Sequence, residues 1–113
     1  MLSRPHRPPV GSRLVDDLLV SAGRGDSAAF ASLYDRTSAL IYGLVRKVTD
    51  EVTAEQVTLR AYLRAWCTAP GYDPTRISAV ADLLRCANHE LTELGQPTLT
   101  RGLARDTDLA VPP

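Results

Sequence analysis

From Leu14 to Leu94 the large apolar residues recur at intervals of three and four, in four runs separated by glycine, proline and cap-forming residues. That spacing gathers them on one face of a helix, whereas a half-buried strand needs alternation with period two. No segment alternates in that way, and no Asn-Gly or Asp-Gly pair signals a hairpin. The expected fold is all-α.

The first run, Leu14, Val15, Leu18 and Leu19, predicts a short helix stopping near Gly23 and Gly25. Asp26 is suited to cap the next helix, in which Phe30, Leu33, Leu40, Ile41, Leu44, Val45 and Val48 predict about six turns. Thr53-Ala54-Glu55-Gln56 reads as a capping box, so a third helix is expected from there to about Thr68. Ala69-Pro70-Gly71 breaks it. Asp73-Pro74 then offers an N-cap followed by a proline at the first helical position, and Val80, Leu83, Leu84, Ala87, Leu91 and Leu94 form the fourth stripe, closed by Gly95 and Pro97. The organisation predicted is a flexible arm over 1–12, a compact four-helix bundle over 13–96 and a disordered tail over 97–113.

With 113 residues, the chain has room for one small domain. Its longest uncharged interval around the most apolar stretch runs from Thr37 to Val45, well short of the roughly 20 residues that span a bilayer. Asp16 and Asp17 interrupt the apolar run behind Arg4, Arg7 and Arg13, which excludes a signal-peptide core and predicts a cytoplasmic protein. Cys67 and Cys86 are then expected as reduced thiols. The formal charge is zero, but 1–13 carry three arginines and no acid, while 14–100 carry seven arginines and Lys47 against eleven acids. A mildly acidic body does not adhere broadly to a phosphate backbone, so any nucleic-acid contact is expected to be local.

No catalytic constellation is present: the chain has no Walker loop, no nucleophile elbow and no His-Glu-x-x-His string. Glu90 and Glu93 share a helix face, which a solvated acidic surface explains. Cys86 and His89, with Cys67, fall short of the four ligands of structural zinc, so no metal or other cofactor is expected. Trp66 reads as a packing residue. Leu59 lies away from Val57, Ala61 and Ala65 on the helical wheel, beside Gln56, Arg60 and Leu63, and is expected to be exposed.

Several strings, in order, resemble domain 2 of bacterial RNA polymerase sigma factors of the extracytoplasmic-function (ECF) type. They are Gly25-Asp26-Ser27-Ala28-Ala29-Phe30-Ala31-Ser32-Leu33-Tyr34, Ile41-Tyr42-Gly43-Leu44-Val45, Ala54-Glu55 with Tyr62-Leu63-Arg64-Ala65-Trp66, and Tyr72-Asp73-Pro74-Thr75-Arg76 with the Ala81 to Ala87 portion of the last helix. The resemblance implies a helical, non-enzymatic domain that docks on the β′ clamp helices of core RNA polymerase and helps open promoter DNA at the −10 element. On that basis Glu55, Gln56, Leu59, Arg60, Leu63 and Arg64 are the candidate polymerase- or partner-binding residues. Arg76, Arg85, Asn88 and His89 are the candidate DNA-binding residues.

The chain departs from the family pattern on two faces. Where the family has an acid after Ala-Glu and then a Gln-Glu pair, this chain has Gln56, Leu59 and Arg60, and an arginine facing a basic partner converts attraction into repulsion. In the last helix Asp82 replaces the family tryptophan, and with Glu90 and Glu93 it is expected on the face approaching DNA, opposing phosphate. The second helical domain of a complete sigma factor, with its helix-turn-helix, is expected to be absent. Two readings follow: a sigma-like protein binding polymerase and, weakly, −10 DNA, or a protein-interaction module that binds an anti-sigma factor or another regulator without opening DNA.

Overall fold

A computed structural model describes residues 13–99. Four helices and one short 3-10 turn follow in order: α1 (Arg13–Gly23), α2 (Ser27–Arg46), α3 (Glu51–Thr68), the turn (Ala69–Gly71) and α4 (Ala79–Glu93). No strand occurs among the described residues, as the helical periodicity predicts. None of these helices is long and apolar enough to cross a membrane. The expected arm over 1–12 and the tail from residue 100 onward lie outside the described residues.

Each helix places its three-four stripe inward. Leu19 of α1, Leu33, Ile41 and Val45 of α2, Val57 of α3, and Leu83 and Leu91 of α4 have no exposed surface. Burial of each such side chain contributes about 1.5 to 3 kcal/mol. On α3 half of the six buried positions are alanine, Ala54, Ala61 and Ala65, all fully buried. Side chains that small let α4 pack closely, and they leave the larger residues of α3 on its outer side. Tyr62 is the largest residue that α3 turns inward. It is 2% exposed, its hydroxyl bonds that of Thr37 on α2, and Phe30 and Tyr34 meet its ring edge-on. Phe30 also packs edge-on against Trp66 at 5.1 Å, so Trp66 packs as expected while keeping one edge in solvent.

Asp26 caps α2 as the sequence predicts, its Oδ1 accepting from the Ala29 N–H at 3.0 Å. The starts of α3 and α4 differ from expectation. Asp50, not Thr53, caps α3: its Oδ1 accepts from the Thr53 N–H at 2.7 Å, and the Thr53 backbone and hydroxyl hold the carboxyl below its ordinary pKa. Asp73 does not start α4. Its Oδ1 accepts from the backbone N–H and the hydroxyl of Thr75, closing a local turn, and α4 begins behind Ser78, whose Oγ accepts from the Ala81 N–H at 3.1 Å. A second cap comes from α1, where Asp16 Oδ1 accepts the Ala79 N–H at 2.8 Å.

Gly95, with φ of +70°, ends α4. The segment expected as tail starts inside the fold: Leu99 is 3% exposed and joins the core, and its N–H donates to Asn88 Oδ1 at 2.5 Å.

Candidate functional site

The outer side of α3 carries Val52, Leu59 and Leu63, which are 66%, 56% and 57% exposed. Glu55, Gln56 and Arg60 are exposed beside them. Leu59 thus stands in solvent, as its place on the helical wheel predicts. Five of the six candidate partner-binding residues are divided between two grooves, one toward α2 and one toward α4, while Gln56 is exposed and lines neither.

Toward α2, Glu55 and Leu59 line a groove of about 340 Å³ with Tyr34, Tyr42 and Thr58. Thr58 is buried, and its hydroxyl oxygen has no hydrogen-bond partner. Toward α4, Arg60, Leu63 and Arg64 line a second groove of about 330 Å³ with Cys67, Thr68 and Glu90. There the Arg64 Nε donates to Glu90 Oε2 at 3.2 Å. Arg60 is therefore on the side of α3 away from Glu55. Sequence reading missed Val52, which precedes Leu59 by one heptad and was legible in that spacing. It also missed Tyr34, Tyr42 and Thr58, which only the packing of α2 on α3 brings beside Glu55.

The candidate DNA-binding residues fall into two adjoining depressions that share Arg85, apart from Asn88. Arg76 and Arg85 line a pocket of about 310 Å³ with Tyr72, Asp73 and Asp82, between the connection from α3 and the start of α4. Asp82 does not face outward as expected: it is 3% exposed and accepts a hydrogen bond from Arg85. The reason is local. Arg85 lies three residues on, over the same helix face, and covers the carboxylate. Tyr72 closes the pocket wall, donating to the Ile77 carbonyl at 2.9 Å, and burial together with the charge of Asp16 pushes its phenol above the ordinary pKa. Thr75 holds the Asp73 carboxyl below its ordinary value.

Asn88 is half-buried and accepts from Leu99, so its amide oxygen is engaged within the fold. His89 is exposed, with Nε2 3.9 Å from Glu93 Oε2, and lines a neighbouring depression with Arg64, Arg85 and Cys86. Glu90, placed by sequence reading on the DNA-facing side, is turned toward Arg64. Burial, with Asp82 nearby, pushes the Cys86 thiol up to about 11, which disfavours the thiolate that a metal requires, and Cys67 is exposed. Among the described residues no group of three His, Cys, Asp or Glu side chains is placed to hold a metal ion.

Several known proteins are similar to this chain in sequence. An ECF RNA polymerase sigma factor, SigK, of Mycolicibacterium vanbaalenii is 38% identical over 88 residues, covering 77% of this chain and 45% of the relative. SigK of Mycobacterium sp. strain KMS is 38% identical over 93 residues, covering 81% and 48%. The chain is a relative of the ECF sigma factors. SigK of Mycobacterium ulcerans is 39% identical over 87 residues, covering 76% of the chain and 46% of that protein. The chain spans about half the length of the curated ECF sigma factors it matches. No family model and no solved structure matches it.

Proposed function

We propose that this sigma-like chain acts in transcription initiation by recognition, without catalysis. The outer side of α3 docks on the β′ clamp helices of core RNA polymerase. The pocket between the connection after α3 and the start of α4 meets the −10 element of promoter DNA, weakly. The observation carrying the docking reading is the exposed ridge of α3, where Glu55, Gln56, Leu59 and Leu63 stand in solvent on a rigid, alanine-backed helix. A helix held by buried small residues on one side presents its other side without reorganisation, which limits the ordering cost of association.

The DNA reading has narrower support. Arg76 and Arg85 supply donors at the pocket, while Asp73 opposes phosphate there and Asp82 already engages Arg85, so contact is confined to a base or two rather than a length of backbone.

A second reading is favoured by the ridge itself. Val52, Leu59 and Leu63 make its centre apolar, and Arg60 repels a basic partner, which suits the groove of an anti-sigma factor or another regulator. Pull-down with core polymerase, alongside promoter-dependent run-off transcription, distinguishes the two. Stable core binding with a run-off transcript supports the first reading. Absence of both, with capture of a purified anti-sigma protein, supports the second.

A further inference from the structure

We propose that the outer ridge of α3 pairs with the same ridge of a second copy of this chain, the two α3 helices lying parallel in a short two-stranded coiled coil. The inference does not rest on the docking reading, although the pairing covers the surface that docking uses. Val52, Gln56, Leu59, Leu63 and Trp66 are all exposed, and they follow one another at intervals of four, three, four and three, the spacing of a coiled-coil seam. On the far side of the helix Ala54, Val57, Ala61 and Ala65 join the core, so the seam points away from the domain that carries it. Single exposed leucines are common on surfaces, whereas a row of large apolar side chains at this spacing fits a partner helix.

Charge identifies that partner and its direction. Glu55 flanks the seam on the α2 side and Arg60 on the α4 side, and neither joins an ion pair among the described residues. A two-fold axis running along the helices brings the α2 side of each copy beside the α4 side of the other. Glu55 of one copy then meets Arg60 of the second, in the flanking positions where charges pair across a parallel coiled coil, and symmetry forms the pair twice. Turned antiparallel, the α2 sides face each other and so do the α4 sides, which gathers like charges. Arg60, which opposes a basic partner, is thereby matched by a copy of its own chain. Gln56 is the polar position in the seam. In register it faces its counterpart, and two amides can hydrogen-bond each other. Because α3 is already folded, pairing carries no cost of helix formation, but so short a seam buries less than the roughly 1,200 Å² of a stable interface. The dimer is expected to be weak, with a Kd on the order of 10 to 100 μM.

The test is sedimentation equilibrium of the whole chain under reducing conditions, from about 1 μM to about 0.5 mM, where a monomer–dimer equilibrium is expected. Glu55→Arg and Arg60→Glu are each expected to weaken it at least about tenfold, with helicity unchanged by circular dichroism. An equimolar mixture of the two variants is expected to recover the dimer, since each supplies the charge the other lacks. Direction is read separately. In a Cys67→Ser background, Val52→Cys is expected to cross-link to itself under oxidised glutathione, because parallel pairing sets the two positions face to face and antiparallel pairing sets them at opposite ends. A chain that stays monomeric throughout, a dimer indifferent to both charge reversals, a mixture that stays monomeric, or no cross-link through Val52→Cys overturns the proposal. Core polymerase is absent from these measurements, so their outcome is separate from whether α3 docks on it.

Discussion

Arg64 on α3 and Glu90 on α4 face each other across the helix pair, Nε to Oε2 at 3.2 Å, with Glu90 largely enclosed and Arg64 38% exposed. Sequence position predicts that each residue faces an outside partner, and each instead meets the other. The pair links α4 to α3 at the surface, and it engages one cation on the partner-facing side.

A double-mutant cycle of Arg64→Ala and Glu90→Ala is expected to give a coupling of about 0.5 to 1 kcal/mol, small because the arginine end is open to solvent. Denaturant unfolding of the four species measures it. Polymerase binding by Arg64→Ala is expected to stay within about twofold of wild type, since the side chain is held toward α4.

Asp82 and Arg85 predict an asymmetry. The Asp82 side chain is 5% exposed and that of Arg85 70% exposed. Arg85→Ala strands a buried carboxylate and is expected to cost on the order of 1 to 3 kcal/mol, whereas Asp82→Asn releases Arg85 to water and is expected to cost less than about 1 kcal/mol. Equal losses in thermal unfolding contradict the burial assigned to Asp82.

Burial pushes the Tyr62 phenol up from 10.0 to about 12, against the opposing effect of its hydrogen bond with Thr37. The folded state therefore holds this proton more tightly than the unfolded chain. The associated stability is complete below pH 10 and is lost as pH rises toward about 12. Unfolding free energies measured from pH 8 to 12 are expected to fall for wild type and to fall less steeply for Tyr62→Phe. Tyr72, raised in the same direction, sustains part of the decline in that variant.

Gly23 ends α1 directly against the turn after α3. A Cβ built there lies 2.4 Å from the Ala69 carbonyl oxygen, a backbone atom that cannot swing aside. Gly23→Ala is expected to destabilise by about 1 to 3 kcal/mol, despite alanine's better helix propensity. A thermal midpoint at or above that of wild type contradicts this packing.

The four helices were legible because Leu19, Leu33, Ile41, Val57, Leu83 and Leu91 sit at helical spacing and nothing alternates. Their starts were legible only where a single cap was available, as at Asp26. At α3 two capping signals lie three residues apart, and Asp50 takes the N–H of the very threonine that resembled the cap. At α4 the Asp73 carboxylate is engaged by Thr75, while the cap from Asp16 crosses 63 positions of sequence, beyond any local motif. Leu99 was hidden for the same reason: a lone leucine after Pro97 joins the core only because Gly95 turns the chain back over Asn88. The candidate surfaces were legible residue by residue on α3, but their division into two grooves depends on α2 and α4, which no helical wheel contains.

The docking of α3 on polymerase is tested most directly by equilibrium titration of core RNA polymerase with wild type, Arg60→Glu and Glu55→Arg. Restoring an acid at the exposed Arg60 position is expected to tighten binding by about tenfold, and Glu55→Arg is expected to weaken it by at least as much. Binding that is absent in all three, or equal in all three, contradicts a polymerase-facing α3.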